Sequence, residues 1–213
     1  MIPAITQLKE LAQKKFPELE LPTQNHGKGF ALQVNVDWKK VFTEIQKEED
    51  AKIIADQRVK VCKLSEMGEE FISKYAQRLV PAAENKLLAL HYSTVPDATV
   101  LIIPKNTVIE NPITINTKAK ITASAESIIV VAEEGAQAII VENTALTSDA
   151  HYKSQIVQIY AQANSKIFYY TLHDEKEGAH SFTTKRAEVL KDASITWIDF
   201  ALGKGFTQVQ LRS

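Results

Sequence analysis

The chain has 213 residues, long enough for one large domain or two small ones with a sizeable core. It carries 25 basic and 26 acidic residues for a net charge of −1, so no electrostatic footprint for nucleic acid or a membrane surface is expected. Its one cysteine, Cys62, excludes an internal disulfide framework and fits a reducing compartment. Gln7, Lys9, Glu10 and Gln13 interrupt the N-terminal apolar positions, and no run reaches eighteen apolar residues. Neither a signal peptide nor a membrane-spanning helix is expected, and the reading is cytoplasmic.

The first half reads mainly as helices. Over residues 4–16, Ile5, Leu8, Leu11, Ala12 and Phe16 share one helical face, with Pro3 at the first turn. Residues 20–30 have two glycines and no period, which predicts a loop. Asp37 can cap a second helix in which Trp38, Val41, Phe42 and Ile45 repeat at three and four. Arg58 to Leu64 alternates like a strand. Ser65 then opens a third helix with Phe71, Ile72, Tyr75 and Leu79 on one side, stopped by Pro81.

From about Ala98 the grammar changes. Proline disappears after Pro112, and apolar runs alternate with short polar turns at Asn106, Gly135, Asn164 and Asp192. The turns lie 29, 29 and 28 residues apart, and Asn, Gly and Asp tolerate turn backbone angles at low cost. A fixed period of this size marks a solenoid, although four antiparallel hairpins in a sandwich would space short strands similarly. Runs such as Ile167, Phe168, Tyr169 and Tyr170 put apolar residues on both sides of a strand, which predicts sheet covered on both faces. The boundary between the two regions is placed at residues 92 and 93.

The candidate reactive residues are sparse. Cys62, in the alternating VKVCKL, reads as a packing residue, since a thiolate-held cluster usually needs four cysteines. His173 to His180 brackets three carboxylates, yet Lys176 and Gly178 make it read as a solvated connection. The two Gly-Lys-Gly stretches, Gly27–Gly29 and Gly203–Gly205, lack the Lys-Ser/Thr of a phosphate loop and read as turns. Glu133 and Glu134 sit at a turn, and the corresponding corners carry Lys105-Asn106, Ala163-Asn164 and Lys191-Asp192, so no stack of carboxylates forms there for acting on polysaccharide. No catalytic, cofactor or metal site is assigned, and the chain reads as a non-enzyme.

A family resemblance emerges from the ordered series of segments. Asn85-Lys86-Leu87-Leu88-Ala89-Leu90, then Ile103-Pro104-Lys105 with Glu110, Pro112 and Ile113, resembles the entry into the core domain of the SufB/SufD family. Downstream, Asp192-Ala193-Ser194 and Leu202-Gly203 resemble its later coils. Leu21-Pro22-Thr23-Gln24 is similar to a Leu-Pro-Thr-Arg element of SufD-type members, followed fourteen residues later by Trp38-Lys39, with Lys40 where the family has tyrosine.

The resemblance covers about residues 55–213. It implies an α+β architecture: an N-terminal, mainly helical region (1–92), then a right-handed parallel β-helix of one strand-and-turn chain (93–213, partial). It also implies a non-catalytic scaffold subunit of SUF iron–sulfur cluster assembly, with a SufB-like scaffold and a SufC-like ATPase as partners. The cluster would form in the assembled complex and not on this chain alone. A β-helix interaction module unrelated to iron–sulfur clusters, and a sugar-active β-helix, are the rival readings. The last coil, ending at Ser213, would expose its core edge, so homodimerisation or aggregation is expected of the isolated chain.

Overall fold

The structure, a computed structural model, describes residues 3–19, 25–26, 30–31, 52–119, 123–146 and 152–213. Helix α1 (Pro3–Lys15) is followed by a two-residue antiparallel pair, β1 (Asn25–His26) with β2 (Phe30–Ala31), inside the expected loop. Next come β3 (Lys52–Ile54), β4 (Lys60–Lys63), α2 (Glu69–Tyr75) and α3 (Lys86–Thr94). The remaining strands are β5 (Ala98–Ile103), β6 (Ile113–Ala119), β7 (Ala123–Ala132), β8 (Gln137–Leu146) and β9 (Tyr152–Ala161). They continue through β10 (Lys166–Glu175), β11 (His180–Val189), β12 (Ser194–Ala201) and β13 (Phe206–Arg212). The helix expected after Asp37, the Leu21–Gln24 element and Gly27–Gly29 lie outside the described residues.

From β5 onward the chain is a β-solenoid, and the hairpin sandwich is excluded by strand direction. Successive strands do not pair with each other. They alternate between two sheets, ordered β4-β5-β7-β9-β11-β13 (the first sheet) and β3-β6-β8-β10-β12 (the second sheet). All pairings from β5 onward are parallel, with Ile128 beside Val157 and Ile139 beside Phe168. At the N-terminal end, β4 and β3 add antiparallel to β5 and β6, giving each sheet a closing strand.

The corners fall on the four expected positions. Asn106, Gly135, Asn164 and Asp192 all have positive φ, between 54° and 70°, so one left-handed residue turns each coil from the first sheet to the second. The corners are hydrogen-bonded in series: the Asn106 N–H donates to the Glu134 carbonyl, that of Gly135 to Ala163, and that of Asn164 to Lys191, all within 3.0 Å. Gly135 is the tightest point. A Cβ there would sit 2.5 Å from Asn106 Oδ1.

The helical region covers the outer face of the first sheet. Ile5, Leu64, Ile72 and Tyr75 pack with Val100, Ile129, Val131 and Tyr160, while Ala12, Val80, Leu88 and Tyr92 pack with Ala125 and Ile156. Every residue of β9 is buried as a result. His91 is fully buried on α3, with Nδ1 2.8 Å from Ser154 Oγ and Nε2 2.8 Å from Ser127 Oγ, so one ring bridges two neighbouring strands. Ion pairs fasten the rim: Arg186 forks onto Glu84 and donates to the Leu79 carbonyl, and Arg78 pairs with Glu188.

Several expectations need correction. Helix α2 begins at Glu69, not Ser65, because Leu64–Glu66 is a 3-10 turn whose Ser65 N–H donates to Asp97 Oδ1. It ends at Tyr75, well before Pro81, because the chain extends from Ala76 to bond the sheet, with Leu79 N–H donating to Gln158 Oε1. Leu11 on α1 is 46% exposed although its period places it on the apolar face. Helix α3 was not read as a helix from periodicity; its start is the Asn85 side chain accepting from the Leu88 N–H at 3.0 Å. Finally, only the first sheet is covered outside by described helices. The outer positions of the second sheet are half-buried or exposed.

The corner geometry yields a stability prediction. Gly135→Ala should cost about 1–3 kcal/mol, from left-handed strain plus the close approach to Asn106. Asn164→Gly, which keeps the backbone angle, should stay within about 0.5 kcal/mol of the parent in urea melts.

Candidate functional site: an ionic seam inside the coils

Alternation decides what the space between the two sheets contains. In β7 the inward positions include Ile128, Val130 and Ala132, and in β10 they include Ile167 and Tyr169, forming an apolar half beside the asparagine corners. The same parity, continued away from those corners, points Glu126, Glu142, Lys153, Gln155, Thr171, His173, Glu175 and Lys185 inward. The interior is therefore divided along the strands into a hydrocarbon half and a charged half.

The charged half is a connected network. Glu142 is completely buried: one carboxylate oxygen accepts from Gln155 Nε2, and the other from Tyr169 Oη at 3.0 Å and Thr171 Oγ1 at 3.3 Å. Gln155 also donates to Glu126 at 3.0 Å, so one amide on β9 joins carboxylates of β7 and β8, one from each sheet. Lys153 Nζ lies 3.3 Å from Glu126 and donates to Thr144 Oγ1 at 2.6 Å. Lys185 Nζ donates to Asp199 at 2.6 Å and to Thr171, lies 3.9 Å from Glu142, and stands 5.0 Å over the Tyr169 ring. Each buried lysine is thus matched to carboxylates, as an interior of low polarity requires.

His173 closes the seam towards the last coils. Its ring is fully buried, with Nε2 3.1 Å from Asp199 Oδ1 and Nδ1 3.4 Å from Glu175 Oε1. Burial opposes a charge on the ring, but the bonds to Asp199 and Glu175 and the Glu175 charge outweigh it and raise the imidazole's pKa. Burial likewise opposes ionisation of Glu175 and Asp199, yet His173, with Lys185 beside Asp199, holds both carboxyls below their ordinary values. Thr207 on β13 donates to Glu175 Oε2 at 2.9 Å, which ties the seam to the next coil. By contrast His91, surrounded by hydrocarbon and two hydroxyls, is pushed by burial down to about 3 and stays neutral.

The sequence-flagged residues scatter. His173 and Glu175 point inward, while Asp174 and Lys176 form an exposed pair at 3.6 Å and His180 stacks on Phe206. The 173–180 segment is thus the end of β10 plus a corner at Gly178, φ 85°, and not a solvated loop with its side chains converging. Cys62 sits half-buried on β4, its Sγ 3.5 Å from Met67 Sδ, and burial raises its thiol pKa. Glu133 accepts from the Lys105 N–H and Glu134 pairs with Lys105 Nζ, so both staple neighbouring corners. Gly203–Gly205 turns tightly against Glu175, whose carbonyl accepts from Lys204 and Gly205.

Chemically the seam holds charge and does not expose it. Its lysines are paired and at most 1% exposed, which withholds them from nucleophilic work. Among the described residues no group of three or more His, Cys, Asp or Glu is placed to hold a metal ion. The same residues contain no helix long and apolar enough to cross a membrane.

Comparison with known proteins then places the fold. Residues 113–213, from β6 to the end of the described solenoid, match the family described as SUF system FeS cluster assembly, SufBD core domain. Over those residues the chain is similar to a SufBD core domain. An iron–sulfur cluster assembly SufBD family protein of Staphylococcus aureus (strain USA300) is 27% identical over 146 residues, covering 66% of this chain and 31% of that protein. A SufBD family protein of Staphylococcus saprophyticus is 24% identical over 208 residues, covering 94% of this chain and 44% of that protein. The chain thus spans less than half the length of these relatives.

Two measurements check the seam. Because the folded pKa of His173 is raised, its stabilisation is fully present below the unfolded value near 6.5 and fades as pH rises through the folded value. Glu175 and Asp199 act oppositely, with stability present above their unfolded values and lost as pH falls. His173→Gln should therefore flatten the alkaline limb of melting temperature against pH while leaving the acid limb. Lys185→Met should cost about 3–5 kcal/mol in denaturant unfolding, and combining it with Asp199→Asn should recover part of the loss.

Proposed function

We propose that this chain is the helical region and early solenoid of a SufD-like scaffold subunit in iron–sulfur cluster assembly, acting through protein–protein contacts. The observation that carries the reading is the coincidence of the SufBD core match with β6–β13, where the coils hold a sealed interior and present their chemistry as surface. The printed names of the relatives assign iron–sulfur cluster assembly to those proteins, and that role is extended here to this chain.

The cluster is cargo and not a resident cofactor in this reading. The chain's one cysteine is half-buried beside Met67, so a cluster needing several thiolates takes its ligands mainly from elsewhere in the assembly. Partners of the two family types, a SufB-like scaffold and a SufC-like ATPase, supply the remaining parts in the cytoplasm. Catalysis by a nucleophile or acid–base pair of these residues has no support in the geometry of the seam.

The reading is tested by affinity isolation of the tagged intact protein from its own cells under anaerobic conditions. Co-isolation of a SufB-type protein and a SufC-type ATPase, with loss of iron–sulfur enzyme activities on depletion, is the expected result. Isolation with neither partner, and undiminished iron–sulfur enzymes after depletion, would overturn it.

A further inference from the structure

The seam holds an amine and a carboxyl group of two different strands within bonding reach and away from solvent. Lys185 is completely buried, and its Nζ donates to Asp199 Oδ1 at 2.6 Å. The carboxyl carbon lies one C–O bond, about 1.2 Å, beyond that oxygen, so the amine stands within about 4 Å of it. Groups held in this way react at effective concentrations of about 10⁵ M and above. The rings of Tyr169 and Trp197 wall the pair, 5.0 Å and 6.0 Å from Nζ. Burial withholds Lys185 from any electrophile outside the solenoid, but Asp199 is inside with it.

We propose that Lys185 and Asp199 condense to an amide, a covalent cross-link between β11 and β12 that the folded chain forms by itself. The surrounding groups supply each proton movement. Passing a proton from Nζ to the Asp199 carboxyl turns a buried ion pair into two neutral groups, which removes the desolvation cost of both charges. Asp199 Oδ2 is buried with no partner and is the oxygen that keeps this proton. The neutral amine then adds to Cγ. Negative charge gathers on Oδ1, to which His173 Nε2 donates from 3.1 Å. The surplus N–H proton has an exit: Nζ donates to Thr171 Oγ1, which donates to Glu142 Oε2 at 3.3 Å. Glu142 is held by Tyr169 and Gln155 and lies 3.9 Å from Nζ, so it serves as the base. Given back to the hydroxyl at Oδ2, the proton lets that oxygen leave as water while the C=O re-forms. One ammonium and one carboxylate become one amide and one water, with no change of oxidation state.

Asp199 offers the water a way out, since its side chain is 14% exposed. Because His173 and Lys185 favour its ionised form, the neutral pair is a minor species, and condensation follows folding instead of accompanying it. Lys185 and Asp199 stand on consecutive strands of opposite sheets, across the Asp192 corner. A one-residue slip would turn Lys185 outward, so the bond forms only in the native register and then makes that register permanent. The cross-link does not depend on the iron–sulfur reading.

Intact-mass spectrometry of the purified full chain, before and after overnight incubation, tests the proposal. The expected mass is about 18 Da below that of the sequence, one water, with the tryptic peptide containing Lys185 joined to the one containing Asp199. Asp199→Asn should lose about 17 Da instead, because ammonia leaves in place of water. Lys185→Arg should keep its full sequence mass. Glu142→Gln and Thr171→Val, each shown folded by circular dichroism, should cross-link about a hundredfold more slowly. A wild-type protein still at its full sequence mass overturns the proposal, as does a loss of water that survives Lys185→Arg. Wild-type rates in both Glu142→Gln and Thr171→Val overturn the relay and the role given to Glu142.

Discussion

No strand from β5 onward finds its hydrogen-bond partner within its own coil, and the rest of the structure depends on that constraint. The N–H and C=O groups of β8 are satisfied by β6 and β10, those of β9 by β7 and β11, so each coil must lie in register with the next. Register over a whole coil requires that all corners turn at the same height. The left-handed residues at 106, 135, 164 and 192 accomplish this, and their mutual backbone bonds carry the ladder around the bend. The period of 28 or 29 residues is thus a consequence of stacking and not of any one coil's local preference. Asparagine, glycine and aspartate recur because other residues would pay the left-handed penalty once per coil.

The ionic seam adds a second condition on the same register. In a strand, a one-residue slip exchanges inner and outer faces. Slipping β11 by one would turn Lys185 out to solvent and bring Arg186 or Thr184 inward, stranding Asp199 and Glu142 without their cation. The apolar half alone would penalise a slip less sharply, since small and branched side chains occur on both faces of β7 and β9. Buried charge rarely improves stability over well-packed hydrocarbon, but it makes mispaired alternatives expensive. Here it sits at the ends of the strands away from those four corners, on the side of Lys153, His173 and Thr207.

Much of the solenoid was legible because its signal is a period, and periods survive without knowledge of tertiary contacts. The positions of the four corners follow from turn residues, and the strands from the apolar runs between them. The parallel pairing did not follow from spacing, since hairpins of equal length space their turns alike; it entered through the family resemblance. The seam was missed for a physical reason. Glu142 and Lys185 read as solvated charges in any window, and only the pairing of distant strands supplies their counter-ions, 14 to 43 positions away along the chain. One local sign existed: Lys185 shares inward parity with Ala187 and Val189, and Glu142 with Ala138 and Ile140. In the helical region the misplaced ends of α2 have the same origin, since the chain leaves the helix to bond Gln158 and Arg186 on β9 and β11.

The division between inside and outside also bears on how such a protein can act. A reactive site needs groups that are accessible and poised, whereas the titratable groups of the seam are sealed between the sheets. The seam consumes its own charges: Lys153, Lys185 and the His173 ring are set among four carboxylates, and little of the seam is left to engage a substrate. What the coils do offer is two broad faces of opposite character. One is covered by the helical region, whose Arg186–Glu84 and Arg78–Glu188 pairs lock it to β11. The other, on the second sheet, shows Phe168 and Phe200 to solvent among polar and charged neighbours. A rigid, register-locked interior is the condition for holding such a face flat, so the buried charges serve the surface even though they never reach it.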